Sequence, residues 1–342
     1  MQWLTSSILV GSDETAIGDS GVLASLGLIV LGILLLMAGG ELLLRGAVGL
    51  ATLLRLTPAV IGLTVVAAGT SVPELAVSGI ASYRGKSDIA VANVVGSNIF
   101  NITVILGLCA LIRPVAIVGN TIKLEYPVLV LATLLCLVIA QDGEINRLDA
   151  ALCLAVYVAF TAYLVGLVRK QVTAGEAIEL KTEVAELTPS QVRVRPWPCI
   201  GLVTAGVVLL ATGAEATVGG ASDLARLLEW SDRVIGLTIV SAGTGLPEVV
   251  ASLVSSVRGR SDIAIGNVIG SNLFNILAIL GLSALASPLQ VQPELIASDC
   301  WWLLGATILL FPIMLTGLRI SRREGGLLVA VYAAYIGLLL AR

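Results

Sequence analysis

The sequence predicts an all-α membrane protein of about ten transmembrane helices, arranged as two five-helix repeats of inverted topology. Three observations support this fold class: an apolar composition, a long internal repeat and an odd number of apolar spans in each half. Of the 342 residues, 57% are hydrophobic and only 13% are charged, and the mean hydropathy is +1.00. Because soluble chains carry roughly a quarter charged residues, the composition excludes an ordinary soluble enzyme.

Apolar runs of about 20 residues mark the predicted spans. In the first half they lie near 22–44, 59–83, 88–112, 123–141 and 148–168. In the second half they lie near 197–218, 233–257, 262–286, 297–317 and 325–341. The sequence therefore divides into a first repeat (1–168), a polar cytoplasmic linker (169–196) and a second repeat (197–342).

The basic residues predict the orientation, because cytoplasmic loops are enriched in Lys and Arg. With the N-terminus outside, 14 of the 20 Lys and Arg residues fall in inside segments and six fall outside. We therefore expect a multi-pass protein with both termini outside. The chain has no histidine, which excludes histidine metal sites and relays. Neither HExxH nor GxSxG occurs, which disfavours an intramembrane enzyme.

The internal repeat joins residues 61–108 to residues 235–282 at a constant offset of 174, with 30 identities in 48 positions. Each half holds five predicted spans, so the first half starts outside and the second starts inside. An odd number of spans per repeat predicts inverted insertion, which is typical of secondary transporters.

Two glutamates occupy the same depth of repeat-equivalent apolar spans, at Glu74 and Glu248. A carboxylate at membrane depth costs several kcal/mol unless it is paired or solvated. The nearest basic residues, Arg84 and Arg258, lie about ten residues further along each span. The pair of acids therefore predicts a bound cation.

Glycine and proline interrupt each span just before its glutamate, in GTSVPE (69–74) and GTGLPE (243–248). Proline has no N–H, so it leaves the carbonyl four residues earlier without its helical donor. The freed carbonyls, the hydroxyls of Thr70 and Ser71 and the glutamates are all hard oxygen donors. Ca²⁺ and Na⁺ both prefer such ligands.

The next span of each half carries the segment GSN(I/L)FN. In each copy a serine and an asparagine are separated by four residues and so share one helix face. These candidate neutral ligands are Ser97 with Asn101, and Ser271 with Asn275. We expect Asn98 and Asn272 instead to form hydrogen bonds between helices.

Two further acids, Glu41 and Glu215, lie toward the ends of their predicted spans. Either they line an ion pathway or they are solvated at a helix end, and the sequence leaves both readings open.

These motifs resemble the two alpha-repeats of the calcium/cation antiporter superfamily, and most closely its prokaryotic sodium/calcium exchanger branch. The resemblance implies exchange of Ca²⁺ for several Na⁺ by alternating access across a prokaryotic cell membrane. It implies a calcium-binding pair of Glu74 and Glu248, assisted by Thr70 and Thr244. The remaining positions that it places at the ions are Ser71, Ser97, Asn101, Ser271 and Asn275, with backbone carbonyls of Ala67 and Ser241.

The sequence departs from that family's pattern at two positions. Gly245 stands where the family usually has serine, and Asn275 stands where several relatives have aspartate. Two carboxylates balance one Ca²⁺ but not three Na⁺, so the sodium stoichiometry stays open.

Two other transport functions remain as alternatives. A proton/calcium antiporter of the same fold would need Glu74 and Glu248 to carry protons, although its usual GNxxE motifs are lacking. A cation channel would conduct without coupling and is less consistent with broken helices in inverted repeats. The expected partners are Ca²⁺, Na⁺ and membrane lipid; no cofactor, nucleic acid or protein partner is implied.

Overall fold

The computed structural model describes residues 19–54, 56–117, 121–171, 195–228 and 241–340, which are mostly helical. The α-helices of the first half are α1 (Asp19–Leu54), α2 (Pro58–Ile61), α3 (Ala67–Thr70), α4 (Val72–Tyr83), α5 (Ser87–Phe100), α6 (Leu106–Ile112), α7 (Tyr126–Ala140) and α8 (Arg147–Gln171). Those of the second half are α9 (Pro196–Leu227), α10 (Ser241–Thr244), α11 (Leu246–Val257), α12 (Ser261–Leu273), α13 (Leu280–Ala286), α14 (Cys300–Leu315) and α15 (Arg322–Leu340).

Turns of π-helix join several of these helices into longer rods. They are Gly62–Val66, Asn101–Ile105, Thr121–Glu125, Phe274–Ile279 and Leu295–Asp299. The turns at 101 and 121 recur at about the same repeat offset in the second half, at 274 and 295. Because π-turns insert an extra residue into the helical ladder and are frequent at functional sites, their recurrence draws attention to the side chains beside them.

Within the described residues, seven helices are long and apolar enough to cross a membrane, or eight if one bent pair is a single span. This confirms a multi-pass helical membrane protein. The number of about ten stays a prediction, because the first part of the span near 233–257 lies outside the described residues and α15, at the span near 325–341, is not among those seven or eight. Of the predicted linker 169–196, residues 169–171 belong to the end of α8, and residues 172–194 lie outside the described residues. The described part of the span near 233–257, α11, is a shorter apolar helix.

Two predicted span ends were wrong, because α1 runs to Leu54 rather than 44 and α9 runs to Leu227 rather than 218. Charged residues interrupt the apolar run of α1, but Glu41 and Arg45 pair across one helical turn, so the helix continues through them. At 1.5 Å per residue, the 36 residues of α1 span about 54 Å. This length exceeds the roughly 30 Å hydrocarbon core.

Helices α1 and α9 pack along their length through glycines spaced seven residues apart. A Cβ on Gly39 would lie 2.9 Å from the carbonyl oxygen of Gly206, and one on Gly213 would lie 2.8 Å from that of Gly32. Only residues without a side chain permit so close an approach of two backbones. The contacts run in opposite directions along the two helices, so these repeat-equivalent helices are antiparallel.

Two short antiparallel strand pairs tie the halves together at opposite ends of α7. Strand β1 (Val115–Ala116) pairs with β4 (Arg319–Ile320), and β2 (Glu144–Ile145) pairs with β3 (Leu289–Gln290). At the repeat offset of 174 residues, β1 is equivalent to β3, and β2 is equivalent to β4 to within one residue. The pairing is therefore reciprocal between the halves, as a twofold relation requires.

Candidate cation site

Both helices that carry a glutamate are broken immediately before it. The axis of the helix bends by 49° between the segments Pro58–Thr70 and Val72–Tyr83. Ser71 at the break has φ −80° and ψ 13°, and its counterpart Gly245 has φ −81° and ψ 0°. The predicted interruption at Gly-Thr-x-x-Pro is thus present in both halves, and it starts α4 and α11 with the glutamates in their first turns.

The two glutamates are buried and close enough to interact electrostatically, although they are 174 residues apart in the chain. Glu74 is 2% exposed and Glu248 is 1% exposed. The Ser71 hydroxyl donates to Glu248 Oε1 at 2.8 Å, so a residue of the first half anchors the acid of the second. Among the described residues neither carboxylate pairs with Lys or Arg.

Several buried oxygens around the glutamates lack a hydrogen-bond partner. They are Glu74 Oε2, Glu248 Oε2, Ser271 Oγ and Asn275 Oδ1. Buried polar atoms in native proteins are nearly always satisfied, so a group of unsatisfied oxygens fits a bound cation. Within the described part of the chain no three Asp, Glu or Cys side chains cluster. The remaining ligands would therefore be neutral oxygens.

An amide cross connects the two GSN(I/L)FN segments. Asn101 Nδ2 donates to Asn272 Oδ1 at 3.0 Å, and Asn275 Nδ2 donates to Asn98 Oδ1 at 3.2 Å. Replacing each residue by its equivalent in the other half, 174 positions away, converts one bond into the other. The prediction that Asn98 and Asn272 bond between helices is confirmed. The amide of Asn275 also turns its unpartnered oxygen away from that bond, where it remains available to a cation.

A cavity of about 290 Å³ reaches the site from one side. Its lining includes Asn93, Ser97, Thr244 and Gly245. The repeat-equivalent side chains of Thr70 and Ser271 are 1% and 0% exposed. Thr244 and Ser97 therefore border the cavity, whereas their counterparts among the described residues are buried.

The predicted site residues fall into three groups. Glu74, Glu248, Thr70 and Ser71 lie together at the centre, where the Thr70 hydroxyl also interacts with Glu248. Asn101 and Asn275 are the buried donors of the amide cross, Ser271 is buried next to Asn272 in the chain, and Ser97 and Thr244 line the cavity.

The two predicted carbonyl ligands are placed less fully. The Ala67 carbonyl oxygen accepts from the Ser71 N–H at 3.0 Å and from the Thr70 hydroxyl at 3.3 Å. Ser241 begins α10, and its side chain lies outside the described part of the structure.

Sequence reasoning missed a second polar pair in each half. Asn93 Nδ2 donates to Ser78 Oγ at 2.9 Å, and Asn267 Nδ2 donates to Ser252 Oγ at 2.9 Å. All four residues are identities of the internal repeat within apolar spans, and this signal could have identified them. The pairs lock α4 to α5 and α11 to α12, so they fix the helices that carry the ligands.

The structure answers the open question about Glu41. Its carboxylate pairs with Arg45 at 2.9 Å and with Arg258 at 3.0 Å, linking α1 to the end of α11. Glu41 is therefore part of an ion-pair cluster, and its role in an ion pathway stays a prediction. Glu215 is exposed on α9.

Comparison with known proteins adds independent information. Residues 24–166 and 199–341 each match the family described as Sodium/calcium exchanger protein, so the family pattern occurs once in each half. The putative antiporter CaxA of Alkalimonas amylolytica is 38% identical over 311 residues, covering 90% of this chain and 96% of CaxA.

Two further matches extend over most of the chain. The inner membrane protein YrbG of Escherichia coli is 32% identical over 278 residues, covering 81% of this chain and 85% of YrbG. A solved structure of the sodium-calcium exchanger NCX_Mj, soaked with zero Na⁺ and Ca²⁺, superposes with a TM-score of 0.79 at 30% identity. That match covers 93% of this chain and 99% of NCX_Mj.

Proposed function

This chain belongs to the sodium/calcium exchanger protein family, and from that premise we propose that it exchanges Ca²⁺ for Na⁺ by alternating access. The observation that carries the proposal is the pair of repeat-related glutamates, buried together with unsatisfied oxygens and without a basic partner among the described residues. Such a pair is stable when a cation bridges it. An empty, charged site resists reorientation because the bare charges would be buried, and this enforces exchange rather than leak.

The proposed ligands divide by charge. Glu74 and Glu248 bind Ca²⁺, with the Thr70 and Thr244 hydroxyls beside them. The hydroxyls of Ser71, Ser97 and Ser271 and the amide oxygens of Asn101 and Asn275 serve Na⁺, with the carbonyls of Ala67 and Ser241. The unsatisfied oxygens of Ser271 and Asn275 support this division.

Alternating access is supported by the one-sided cavity. Thr244 and Ser97 face it, whereas their counterparts Thr70 and Ser271 are sealed. In a protein with twofold-related halves, a state in which Thr70 and Ser271 line a cavity and Thr244 and Ser97 are buried would open to the opposite side of the membrane. With both termini outside, as the basic residues predict, the cavity faces outward, because its outer lining includes Leu339 near the end of α15.

The inverted arrangement of ten helices belongs to the same proposal. It is supported by the antiparallel packing of α1 against α9 and by the reciprocal strand pairs. We place the protein in the prokaryotic cell membrane, which agrees with the description of YrbG as an inner membrane protein.

The test is transport by the purified full-length chain in liposomes. We expect Ca²⁺ uptake that requires internal Na⁺, and we expect Glu74→Gln and Glu248→Gln to abolish it. A matched control is Glu144→Gln, which removes a carboxylate from the strand pair at one end of the molecule.

The same preparation separates sodium from proton coupling. Uptake driven by a pH gradient in the absence of Na⁺ would make the protein a proton/calcium antiporter. Conductance that needs no countertransported ion would indicate a channel. Either result would contradict Na⁺/Ca²⁺ exchange.

A further inference from the structure

One of the proposed cation ligands has a polar partner that is not itself in the proposed ligand set. The Thr70 hydroxyl lies 3.4 Å from Asn267 Oδ1, although the two residues belong to different halves and are 197 positions apart in the chain. Thr70 and Asn267 are each 1% exposed. A hydrogen bond between the halves therefore ends directly on a side chain of the cation site.

A hydroxyl group that binds a cation must turn its lone pairs toward the ion and direct its single hydrogen elsewhere. The structure places three acceptors near the Thr70 hydroxyl: the carbonyl oxygen of Ala67 at 3.3 Å, the carboxylate of Glu248 and Asn267 Oδ1. Ala67 and Glu248 are both proposed ligands, so a hydrogen pointed at either of them would face the positive charge of the ion. Asn267 Oδ1 is therefore the favourable acceptor when the site is loaded.

The amide of Asn267 is itself held in one orientation. Its Nδ2 donates to Ser252 Oγ at 2.9 Å, and Ser252 is fully buried on α11. Because the amide group is planar, binding its Nδ2 on one side presents its Oδ1 on the other, here toward Thr70. A chain of hydrogen bonds thus runs from Ser252 through Asn267 to the Thr70 hydroxyl.

The backbone of α12, which carries the amide, packs closely against the half-helix that ends at Thr70. A Cβ on Gly266 would overlap the carbonyl oxygen of Ala59, and one on Gly270 would overlap that of Leu63. Glycine permits so close an approach of two helices, and close packing of this kind leaves little room for relative movement. The position of the amide relative to the hydroxyl is therefore fixed by the backbones of both halves.

We propose that Asn267 is a positioning residue for cation binding, which accepts the hydrogen of the Thr70 hydroxyl and so turns the lone pairs of that hydroxyl toward the ion. This role rests on the proposed function, because it requires Thr70 to be a ligand. Asn267 acts through the hydroxyl and does not contact the cation. Hydrogen-bonded partners behind metal ligands orient those ligands and strengthen binding in the same way.

The test is a double-mutant cycle between Asn267 and Thr70 in the purified full-length chain, with the apparent Kd for Ca²⁺ taken from calcium-dependent thermal stabilisation. We expect Asn267→Ala to raise that Kd about fivefold, the size of one neutral hydrogen bond. In the Thr70→Val chain, which has no hydroxyl to orient, Asn267→Ala should change the Kd less than about twofold. In the Thr70→Ser chain, which keeps the hydroxyl, the effect of about fivefold should return.

Two further variants separate orientation of the hydroxyl from packing of the helices. Asn93→Ala breaks the equivalent bond of the first half, to Ser78 at 2.9 Å, and its effect on the Kd should be the same with and without the Thr70 hydroxyl. Ser252→Ala keeps the Asn267 amide but removes the acceptor of its Nδ2. It should raise the Kd about twofold, again only where the Thr70 hydroxyl is present, and it tests the proposal even if Asn267→Ala fails to fold.

The outcomes separate this role from the exchange function. An effect of Asn267→Ala that was equal with and without the Thr70 hydroxyl would overturn the positioning role, as would an unchanged Kd in the chain that retains Thr70. Either result would leave exchange in place. Absence of Na⁺-dependent uptake in the unsubstituted chain would instead overturn the exchange function, while the binding cycle would still report on Asn267.

Discussion

The halves of the site around Glu74 and Glu248 share most side chains, but the Ser71 hydroxyl, which contacts Glu248, has no counterpart in the other half. Glu248 accepts a hydrogen bond from Ser71 at 2.8 Å, whereas the position equivalent to Ser71 is Gly245. The backbone angles at Ser71 and Gly245 are almost the same, so the difference lies in the side chain alone. The repeat therefore supplies two equivalent acids, and the difference between Ser71 and Gly245 makes their hydrogen bonding unequal.

The largest effect is expected when either glutamate is removed, and it tests whether the two unequal acids are both required. Removing one partner of a buried charge cluster costs about 3–5 kcal/mol, so Glu74→Gln and Glu248→Gln should each weaken Ca²⁺ binding at least about 100-fold. The double variant should be no worse than either single one, because the two acids bind one cation as a unit. Calcium-dependent thermal stabilisation of the purified proteins measures binding apart from transport.

A variant that retained tight Ca²⁺ binding with only one glutamate would show that the halves act independently. A melting temperature without Ca²⁺ that is at least as high as that of the unsubstituted protein serves as the control for folding, because each variant removes one of two buried like charges.

The second prediction moves the hydroxyl from one half to the other. Ser71→Gly should raise the apparent KM for Ca²⁺ about tenfold, since a hydrogen bond to a charged group contributes about 1.5–3 kcal/mol. Adding Gly245→Ser should restore the KM to within about threefold, because the new hydroxyl lies before Glu74 as Ser71 lies before Glu248. The matching backbone angles and the cavity beside Gly245 allow the serine without strain.

Transport kinetics of the single and double variants provide the measurement. If Gly245→Ser failed to restore the KM of Ser71→Gly, the two positions would not be functionally equivalent. The halves would then differ by more than the placement of this hydroxyl.

These particulars show what the sequence could and could not predict. Both glutamates and both helix breaks were predictable, because Pro and Glu at the same depth of two apolar spans are visible in the chain itself. The bond from Ser71 to Glu248 was not, since it depends on how helices 177 residues apart cross. The end of α1 was placed ten residues too early, because its charges pair with each other rather than ending the helix.

The third prediction concerns the charge of the sodium ligands. Asn275→Asp adds a third carboxylate, and we expect it to lower the Na⁺ concentration needed for half-maximal exchange by about threefold, since a carboxylate binds a hard cation more strongly than an amide oxygen. The loss of the Asn275 amide donor is tolerable because Asn98 has an unpartnered Nδ2 that can turn toward the new carboxylate. The matched control is Asn101→Asp, the same change at the equivalent position.

Na⁺ dependence of Ca²⁺ release from loaded liposomes tests both variants. An unchanged Na⁺ requirement in Asn275→Asp would exclude this side chain from the sodium site.

The smallest expected effect lies in the amide cross, where each half accepts one side-chain hydrogen bond from the other. Each of Asn98 and Asn272 accepts one amide hydrogen bond from the opposite half, at 3.2 and 3.0 Å. Hydrogen bonds between membrane helices contribute about 0.6 kcal/mol on average and at most about 1.7. Asn98→Ala and Asn272→Ala should therefore lower the free energy of unfolding by about 1 kcal/mol each. The loss should be somewhat larger for Asn272→Ala, because Asn272 Nδ2 also donates to the Asn98 carbonyl oxygen at 3.4 Å, whereas Asn98 Nδ2 has no partner. Thermal unfolding in detergent measures this, with Asn93→Ala, which breaks a bond within one half, as the control. A loss of unfolding free energy that differed several-fold between Asn98→Ala and Asn272→Ala would mean that the two halves also differ in the packing of their helices. Similar losses would mean that the difference between the halves is restricted to the surroundings of the carboxylates.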